Sequence, residues 1–265
     1  MTTLEVGGVP VATYVDDPLL DIRLAPRPYL HPVRTLAGTV VTDELCFDHP
    51  WHMGASLTMA DVNGTNLWGG RTFVRDEGYV WQDDHGRIRH DVWLPATDGF
   101  AEQLLWCDGD GHTLLTERRE VAATPAALGW ELSFRYALTA PPSHGVSLGS
   151  PATNGRTGGA GYGGFFWRFP PDPATAFAAD GSDPHGSAAA WVALTAADSY
   201  TLVFRGLQGK DRWFVRTSGY VGVCAALAFE TPLVIPPGET ESRHVRVLVA
   251  DGTLTPREIT EALTP

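Results

Sequence analysis

Two histidines three positions apart, His49 and His52, stand in the stretch CFDHPWHMGAS beside Asp48. Imidazole titrates near neutral pH and binds transition metals, so the pair could act as acid and base or hold a metal ion. On a strand the two rings would point to opposite faces, whereas at a bend they can converge. Pro50 fixes its own φ and restricts the preceding residue, which favours a bend. The alternative is a pair of capping or surface histidines.

Two further titratable side chains lie in strand-like segments. His90 occurs in GRIRHDVW, where a lone histidine is usually structural. In TLLTERREV, alternation places Glu117 and Arg119 on the face shared with Leu115, and a carboxylate there needs an arginine or a ligand as partner. A structural ion pair and a catalytic carboxylate both remain open. The candidate catalytic residues, and the candidate ligands if one divalent transition metal is bound, are His49, His52, His90 and Glu117.

Polar and aromatic residues are densest in SPATNGRTGGAGYGGFFWRF. These residue types, together with two upstream tryptophans, are typical of carbohydrate-binding sites, because indole rings stack on the C–H faces of sugars. Amides and guanidinium groups can pair with the sugar hydroxyls. The candidate sugar-binding residues are Trp51, Trp68, Asn154, Arg156, Tyr162 and Arg168. The alternative is that several of these tryptophans belong to an ordinary core.

Period-two alternation dominates the chain, as in ELSFRYALTA, SYTLVFRGL and RHVRVLVADG, and turn pairs such as Asn-Gly and Asp-Gly recur. We therefore predict an all-β fold, a large antiparallel two-sheet β-sandwich that forms a single domain over residues 1–265. In TPREITEAL, Thr255, Pro256 and Glu258 form a capping box that predicts a short C-terminal helix near residues 256–263. A Pro-, Ala- and Gly-rich segment predicts a long loop near residues 170–188.

The formal net charge of the 265-residue chain is −12. An acidic chain repels phosphate backbones and anionic membrane surfaces, so neither nucleic acid nor membrane is expected as a partner. No apolar run is long enough for a membrane span, and the first residues show no basic and apolar pattern, so we expect no signal peptide. Three scattered cysteines do not form a disulfide framework, so we expect a cytoplasmic protein with reduced thiols. Its expected partner is a small-molecule carbohydrate, and an oligomer is compatible with the sequence.

Six stretches occur in the order found in a known bacterial family: RPYLHPVRTLAGTVVT, DHPWHMG, DVNGTNLWGG, GRIRHDVW, LLTERREV and GSPATNGRTGGAGYGGFFWR. The chain resembles the family labelled "methane oxygenase PmoA", a domain family of unknown function. The resemblance implies a β-sandwich similar to the galactose mutarotase-like supersandwich. Methane oxidation is rejected, because the enzyme subunit behind that label is an integral membrane protein.

The same resemblance affects the prediction of a metal site in the histidine loop. Many family members read DHPHHRG where this chain reads DHPWHMG, so Trp51 and Met53 replace a histidine and an arginine. This departure argues against a three-histidine metal site in the loop. It leaves a two-histidine site that His90 or Glu117 could complete.

The leading functional hypothesis is a carbohydrate-active enzyme that acts on a sugar or an oxidised, 3-keto glycoside by acid/base lyase or hydrolase chemistry. Such chemistry needs a base, an acid and a metal or arginine to stabilise an enolate. One alternative is an aldose 1-epimerase-like isomerase, and another is a non-catalytic sugar-binding module. Convergence of His49, His52 and Glu117 would favour the enzyme.

Overall fold

The computed structural model describes residues 1–196 and 198–264, and its regular structure is almost entirely extended. The strands are β1 (Thr2–Val6), β2 (Val9–Val15), β3 (Tyr29–Val33), β4 (Ala55–Thr58), β5 (Asp61–Val62), β6 (Thr72–Val74), β7 (Gly78–Val80), β8 (Arg87–Leu94), β9 (Phe100–Cys107), β10 (Thr113–Ala126), β11 (Gly129–Thr139), β12 (Val146–Gly149), β13 (Gly164–Arg168), β14 (Ala174–Ala178), β15 (Trp191–Ala196), β16 (Tyr200–Arg205), β17 (Arg212–Arg216), β18 (Gly222–Ala226), β19 (Leu233–Ile235) and β20 (Thr240–Asp251). The helix α1 spans Pro256–Leu263, and a 3-10 turn covers Ile22–Leu24.

Two large antiparallel sheets form the body of the structure. One has seven strands in the order β1-β2-β3-β4-β13-β18-β17, and the other has eight in the order β14-β15-β16-β20-β11-β10-β9-β8. A three-stranded sheet, β19-β12-β5, and the hairpin β6-β7 complete the fold. The predicted all-β, two-sheet antiparallel architecture is confirmed.

Strand β13 shows how alternation separates the core from the outer face of the seven-stranded sheet. Phe165 and Trp167 join the main hydrophobic cluster, which holds inward side chains of both sheets. Phe166, between them, joins a second cluster that includes Trp68 and Phe214. That second cluster lies on the outer face of the sheet, beneath the loops that connect its strands.

Helix α1 covers part of the outer face of the eight-stranded sheet, where Ile259 packs with Trp191, Val203 and Leu248. Its predicted capping box is present: the Thr255 hydroxyl accepts from the backbone N–H of Glu258, and the Glu258 carboxylate accepts from that of Thr255. The predicted terminal helix is therefore confirmed.

The segment of residues 170–188, which we expected to be a long loop, contains strand β14. Residues Ala174–Ala178 pair with β15 at the edge of the eight-stranded sheet. The ATAFA sequence of β14 has few β-branched residues, so local propensity gave no sign of a strand, and the open edge of β15 supplied the hydrogen bonds.

The described residues contain no helix that is both long and apolar enough to cross a membrane. In the same residues, Cys46, Cys107 and Cys224 are buried free thiols.

Candidate functional site

A cavity of about 450 Å³ opens on the outer face of the seven-stranded sheet, within the size range of small-molecule sites. Its lining combines two imidazoles, a set of aromatic rings and three guanidinium groups: His49, His52, Trp51, Trp68, Tyr79, Trp81, Tyr162, Phe214, Tyr220, Arg71, Arg156 and Arg216, with Gly69. Strand β17 contributes Phe214 and Arg216, while most other lining residues come from loops. Six of the ten predicted site residues line this cavity.

The predicted bend at Pro50 brings the two histidine rings together. The backbone N–H of His52 donates to the carbonyl of His49 at 2.9 Å, which closes a turn with Pro50 in its second position. The two imidazoles stack with centroids 4.7 Å apart and an interplanar angle of 10°. Phe166 and Tyr220 flank the inner ring, each with its centroid 4.8 Å from that of His52.

His49 is oriented by its neighbour Asp48. Its Nδ1 lies 2.8 Å from Oδ2 of Asp48. Burial tends to raise the pKa of Asp48, but the hydrogen bond from His49 and the charge of Arg168 outweigh it, so that pKa is lowered. An ionised carboxylate only accepts hydrogen bonds, so Nδ1 of His49 carries a proton, and in the neutral tautomer that this selects Nε2 has the lone pair. His49 is therefore set up to accept a proton.

In His52 the two ring nitrogens have the reverse roles of those in His49, with Nδ1 as acceptor and Nε2 as donor. NH1 of Arg168 lies 3.1 Å from its Nδ1, and a guanidinium only donates, so this nitrogen accepts and the proton resides on Nε2. Burial lowers the pKa of His52 well below its ordinary value, and positive charge on a protonated His49, on Arg168 and on Arg27 acts in the same direction. A neutral His52 thus offers an N–H donor beside the acceptor of His49.

The buried Arg27 joins the histidine turn to the loop that carries Trp68. Its NH2 donates to the carbonyl of Trp51 at 2.8 Å, and its NH1 to that of Trp68 at 3.2 Å. Its Nε donates to the hydroxyl of Ser56 on the outer face of β4 at 3.1 Å. Burial lowers the pKa of Arg27 to about 9. At neutral pH the side chain remains a cation that positions both tryptophan-bearing loops.

Two glycines make room for the ring of Trp51. Gly69 and Gly70 have φ of +96° and +72°, a region that disfavours side chains. A Cβ on Gly70 would lie 2.6 Å from the indole of Trp51, and one on Gly69 would lie 2.6 Å from the Trp51 Cβ. The amide oxygen of Asn66 accepts from the backbone of Gly69 at 2.9 Å and fixes this turn.

One wall of the cavity consists of Trp68, Tyr162 and Tyr79. The ring centroids of Trp68 and Tyr162 are 4.6 Å apart, and the hydroxyls of Tyr162 and Tyr79 are 2.8 Å apart. Arg156 donates to the Tyr79 hydroxyl. Burial, and after it the neighbouring Tyr79, raises the pKa of Tyr162 well above its ordinary value. Tyr162 therefore stays protonated and keeps a hydroxyl that can donate a hydrogen bond.

The other predicted sugar-binding residues are placed around the cavity. Arg168 lies beneath it, with NH2 at 2.9 Å from Oδ1 of Asp48 and its guanidinium 5.2 Å from the ring centroid of Tyr220. Asn154 donates to Oδ2 of Asp61 at 3.0 Å and lines a smaller adjacent recess. Arg168 thus acts through its neighbours, whereas Asn154 lies outside the main cavity.

Glu117 and His90 do not join the histidine pair, which corrects the expectation that they share its site. Glu117 forms an ion pair with Arg119, Nε to Oε1 at 2.7 Å, and accepts from the indole of Trp106 at 2.8 Å. Both charged side chains are fully buried. His90 lies on β8, with Nδ1 at 2.7 Å from the buried carboxylate of Glu102. His90 on β8 and Glu117 on β10 both belong to the eight-stranded sheet, whereas the histidine pair lies at the seven-stranded sheet.

The four predicted metal ligands lie in separate parts of the structure, the histidine pair at the cavity and the other two in the eight-stranded sheet. In residues 1–196 and 198–264, the one group of three potential ligands within 4.8 Å of one another is Asp108, Asp110 and His112. None of the four predicted ligands belongs to that exposed group. At the cavity, Nδ1 of His52 faces a guanidinium and Nδ1 of His49 is bound to Asp48, so the histidine pair offers a ligand only its two Nε2 atoms.

A comparison with protein-family profiles matches residues 1–264 to a family of unknown function, DUF6807. The chain belongs to the DUF6807 family. That description names neither a methane oxygenase nor a mutarotase, so the relation to those proteins stays a prediction. No curated protein matches the chain.

Among solved structures, this DUF6807 member is similar to a protein titled Polysaccharide Lyase, with 15% identity, 92% of this chain and 33% of that chain covered, and a TM-score of 0.42. It is also similar to the heparan sulfate lyase HepC from Pedobacter heparinus, with 10% identity, 64% and 22% coverage, and a TM-score of 0.29. The chain thus spans a third or less of the length of these proteins. Similarity at this level supports no conclusion about activity.

Several cavity residues of this DUF6807 member were not predicted from the sequence. They are Arg27, Asp48 as the partner of His49, and the lining residues Arg71, Tyr79, Trp81, Phe214, Arg216 and Tyr220. Two of them left a usable signal: in RWFVR, alternation places Phe214 and Arg216 on the face opposite Trp213. The others lie in connecting segments or, for Tyr79, in the three-residue strand β7, where sequence periodicity does not predict what they cover.

Proposed function

We propose that the cavity is the active site of a carbohydrate-active enzyme that eliminates or hydrolyses a 3-keto glycoside by acid/base chemistry. One observation carries the proposal: the stacked His49 and His52 have opposite hydrogen-bonding polarity, set by Asp48 and Arg168. The pair offers a proton acceptor and a proton donor 4.7 Å apart at their ring centroids. General acid/base catalysis needs this combination at a reacting carbon and its leaving group.

The reaction begins at the carbon next to the ketone. Nε2 of His49 accepts the proton from C2, which the C3 carbonyl makes acidic, and the electron pair of the C–H bond forms an enolate. The enolate then expels the glycosidic oxygen from C1, and a 1,2-double bond forms. The departing oxygen takes a proton from Nε2–H of His52 or from the hydroxyl of Tyr162, and the proton that His49 took from C2 restores that donor, so both imidazoles end neutral. The products are an unsaturated keto sugar and an alcohol, and no oxidant is consumed.

The cavity also holds the groups that would bind the sugar. The half-buried ring of Trp51 and the ring of Trp68 supply apolar surfaces for the C–H face of a pyranose. Guanidinium groups in the lining can donate to the enolate oxygen that forms during the reaction. In the hydrolytic version, water adds to C1 of the unsaturated product, which regenerates a free 3-keto sugar.

The aldose 1-epimerase alternative is less well supported, because it uses a carboxylate to take the anomeric proton. None of the described residues that line the cavity is an aspartate or glutamate. Asp48, which lies beside His49, has both oxygens engaged by His49 and Arg168. The separation of Glu117 from the histidines keeps the non-catalytic sugar-binding module open as a competing outcome.

The test uses 4-nitrophenyl 3-keto-glucoside, with the unoxidised 4-nitrophenyl glucoside as substrate control. We expect nitrophenolate release from the keto substrate alone, and His49→Gln should lower kcat by about 100-fold to 10,000-fold, the usual contribution of a general base. The matched control is His112→Gln, an exposed histidine hydrogen-bonded to an aspartate outside the cavity. Binding without turnover would establish the sugar-binding module, and full activity of His49→Gln would remove His49 from the chemistry.

A further inference from the structure

Three arginines, Arg71, Arg156 and Arg216, line the cavity without any acidic residue in the lining. This arrangement is unusual for the chain, which carries 31 acidic against 19 basic residues. The three lie far apart in sequence, at the start of the β6-β7 hairpin, in the β12–β13 connection and at the end of β17. The tertiary fold therefore concentrates positive charge at one concave position of an otherwise acidic molecule.

Within residues 1–196 and 198–264, none of the three guanidinium groups has a carboxylate oxygen within 4.0 Å. Some exposed arginines do pair with carboxylates: Arg118 with Glu120 and Arg257 with Glu261, each at 2.7 Å. In the described residues the cavity arginines lack such a partner, as does Arg212, but they are the ones that meet at a concave site.

Aromatic rings hold the three guanidinium groups in place. Arg71 lies 5.9 Å from the ring centroid of Trp81, Arg156 lies 4.8 Å from that of Tyr79, and Arg216 lies 4.8 Å from that of Phe214. A ring face stabilises the cation but accepts no conventional in-plane hydrogen bond.

Because the aromatic rings contact the guanidinium groups without accepting in-plane hydrogen bonds, N–H groups of the three side chains can donate to a ligand. Arg156 uses one of its donors on the Tyr79 hydroxyl and retains the others.

We infer that the ligand of this cavity is an acidic sugar whose carboxylate is bound by Arg71, Arg156 and Arg216. A planar carboxylate matches the paired donors of a guanidinium, and an ion pair away from bulk water gains strength. The stacking surfaces of Trp51 and Trp68 lie in the same cavity, so one ligand can present a sugar face and an anionic group together. The sugar part of this inference rests on the proposed function, whereas the anion site does not.

The experiment is isothermal titration calorimetry with glucuronate and galacturonate, against glucose and galactose as neutral controls. We expect at least one uronate to bind about tenfold or more tightly than its hexose, as a charge-assisted hydrogen bond allows. Raising the NaCl concentration should weaken uronate binding and leave hexose binding unchanged. Equal affinity for uronate and hexose, or no uronate binding at millimolar concentration, would overturn the inference. Tighter binding of glucose 6-sulfate than of either uronate would overturn the carboxylate assignment.

Single Arg71→Met, Arg156→Met and Arg216→Met variants should each reduce uronate affinity toward that of the hexose. The matched control is Arg212→Met, which removes the same charge from the same strand as Arg216. Arg212 donates to backbone carbonyls of Lys210 and Asp211 and does not line the cavity. Uronate binding that survives in all three variants would contradict the inference, and the salt dependence of the unmodified protein decides the matter if a variant does not fold.

Titration and turnover of the unmodified protein separate this inference from the proposed function, and His49→Gln should lose turnover while it keeps the uronate preference. Uronate preference in an unmodified protein that does not turn over the keto-glycoside would show that the anion site exists and the acid/base chemistry does not. Turnover of a neutral keto-glycoside without uronate preference would show the reverse.

Discussion

The guanidinium of Arg168 contacts both His52 and Asp48. Its NH1 lies 3.1 Å from Nδ1 of His52, and its NH2 lies 2.9 Å and 3.1 Å from the two oxygens of Asp48. Because Asp48 in turn binds Nδ1 of His49, one cation determines the proton positions on both imidazoles. The hydrogen-bonding polarity of the pair therefore depends on a buried residue that does not line the cavity.

Replacement of Arg168 should remove the hydrogen bonds that determine the proton positions on His49 and His52. In Arg168→Met, Nδ1 of His52 is buried without a donor, so we expect a loss of about 1–3 kcal/mol in the free energy of unfolding. The nitrogen-15 shifts of His52 should change from a fixed Nε2–H tautomer to a mixture. Arg118→Met, at an exposed position, is the control. Unchanged His52 shifts in Arg168→Met would show that another contact sets the tautomer.

Two glycine substitutions separate backbone strain from steric contact with Trp51. Gly64→Ala has φ of +89° and no atom within 4 Å of the new Cβ, so it should cost about 1 kcal/mol. Gly70→Ala has a similar φ of +72° and a new Cβ 2.6 Å from the indole of Trp51, so about 2–4 kcal/mol is expected. Urea unfolding measures both, and tryptophan fluorescence should shift in Gly70→Ala alone. Equal costs would mean that Trp51 moves without penalty.

Two ion pairs on adjacent positions of β10 should differ greatly in their contributions to stability. Glu117→Gln leaves Arg119 charged and buried and should cost about 3–5 kcal/mol, whereas Glu120→Gln breaks the exposed pair with Arg118 and should cost less than about 1 kcal/mol. Chemical denaturation gives both values.

The double variant Glu117→Leu with Arg119→Met should recover most of the stability lost in Glu117→Gln, because it removes both buried charges together. A double variant as unstable as the single one would indicate that Tyr14, which accepts from Arg119 at 2.8 Å, depends on that guanidinium.

Acidification should destabilise the protein through its buried neutral histidines. The pKa of His52 is lowered by burial, so the unfolded chain binds its proton first, near pH 6.5. The stabilising contribution is therefore complete above about pH 6.5 and declines as the pH falls below it, by at most about 1.4 kcal/mol per pH unit for one proton. His31, His185 and His244 have pKa values lowered by burial too, that of His244 to about 4.

Thermal unfolding between pH 7 and pH 5 tests this expectation with two variants. His52→Gln should have a smaller slope of stability against pH than the unmodified protein. His244→Gln, which lies on β20 away from the cavity, should also reduce the slope but leave the remaining contribution of His52 intact. A slope unaffected by His52→Gln would mean that His52 is already protonated in the folded state.

The sequence predicted what depends on neighbouring residues. The turn that stacks His49 on His52 is a local consequence of Pro50, and the shared face of Glu117 and Arg119 follows from the two-residue period of a strand. The same period does not say which sheet face receives a ligand. For that reason Glu117 was a plausible partner of the histidines until its strand was placed in the other sheet.

The arginines of the cavity could not be predicted together, because nothing local connects them. Arg71, Arg156 and Arg216 meet only after a hairpin, a glycine-rich connection and a strand are brought to one face. Arg27 and Arg168 were also beyond sequence reasoning in their actual roles, since each bonds to groups distant along the chain.

The alternation of side chains along strand β13 limits which mutations can alter ligand selectivity during evolution. Its inward residues Phe165 and Trp167 stabilise the sandwich, while Phe166 and Arg168 lie beneath the ligand cavity. Substitutions on the outward positions of β13 and β17 therefore act on the cavity and its support, while the inward residues of the same strands keep their places in the sandwich core. A single inserted residue in β13 would exchange the two sets at once, so new specificities are accessible by replacement in this strand and closed to insertion.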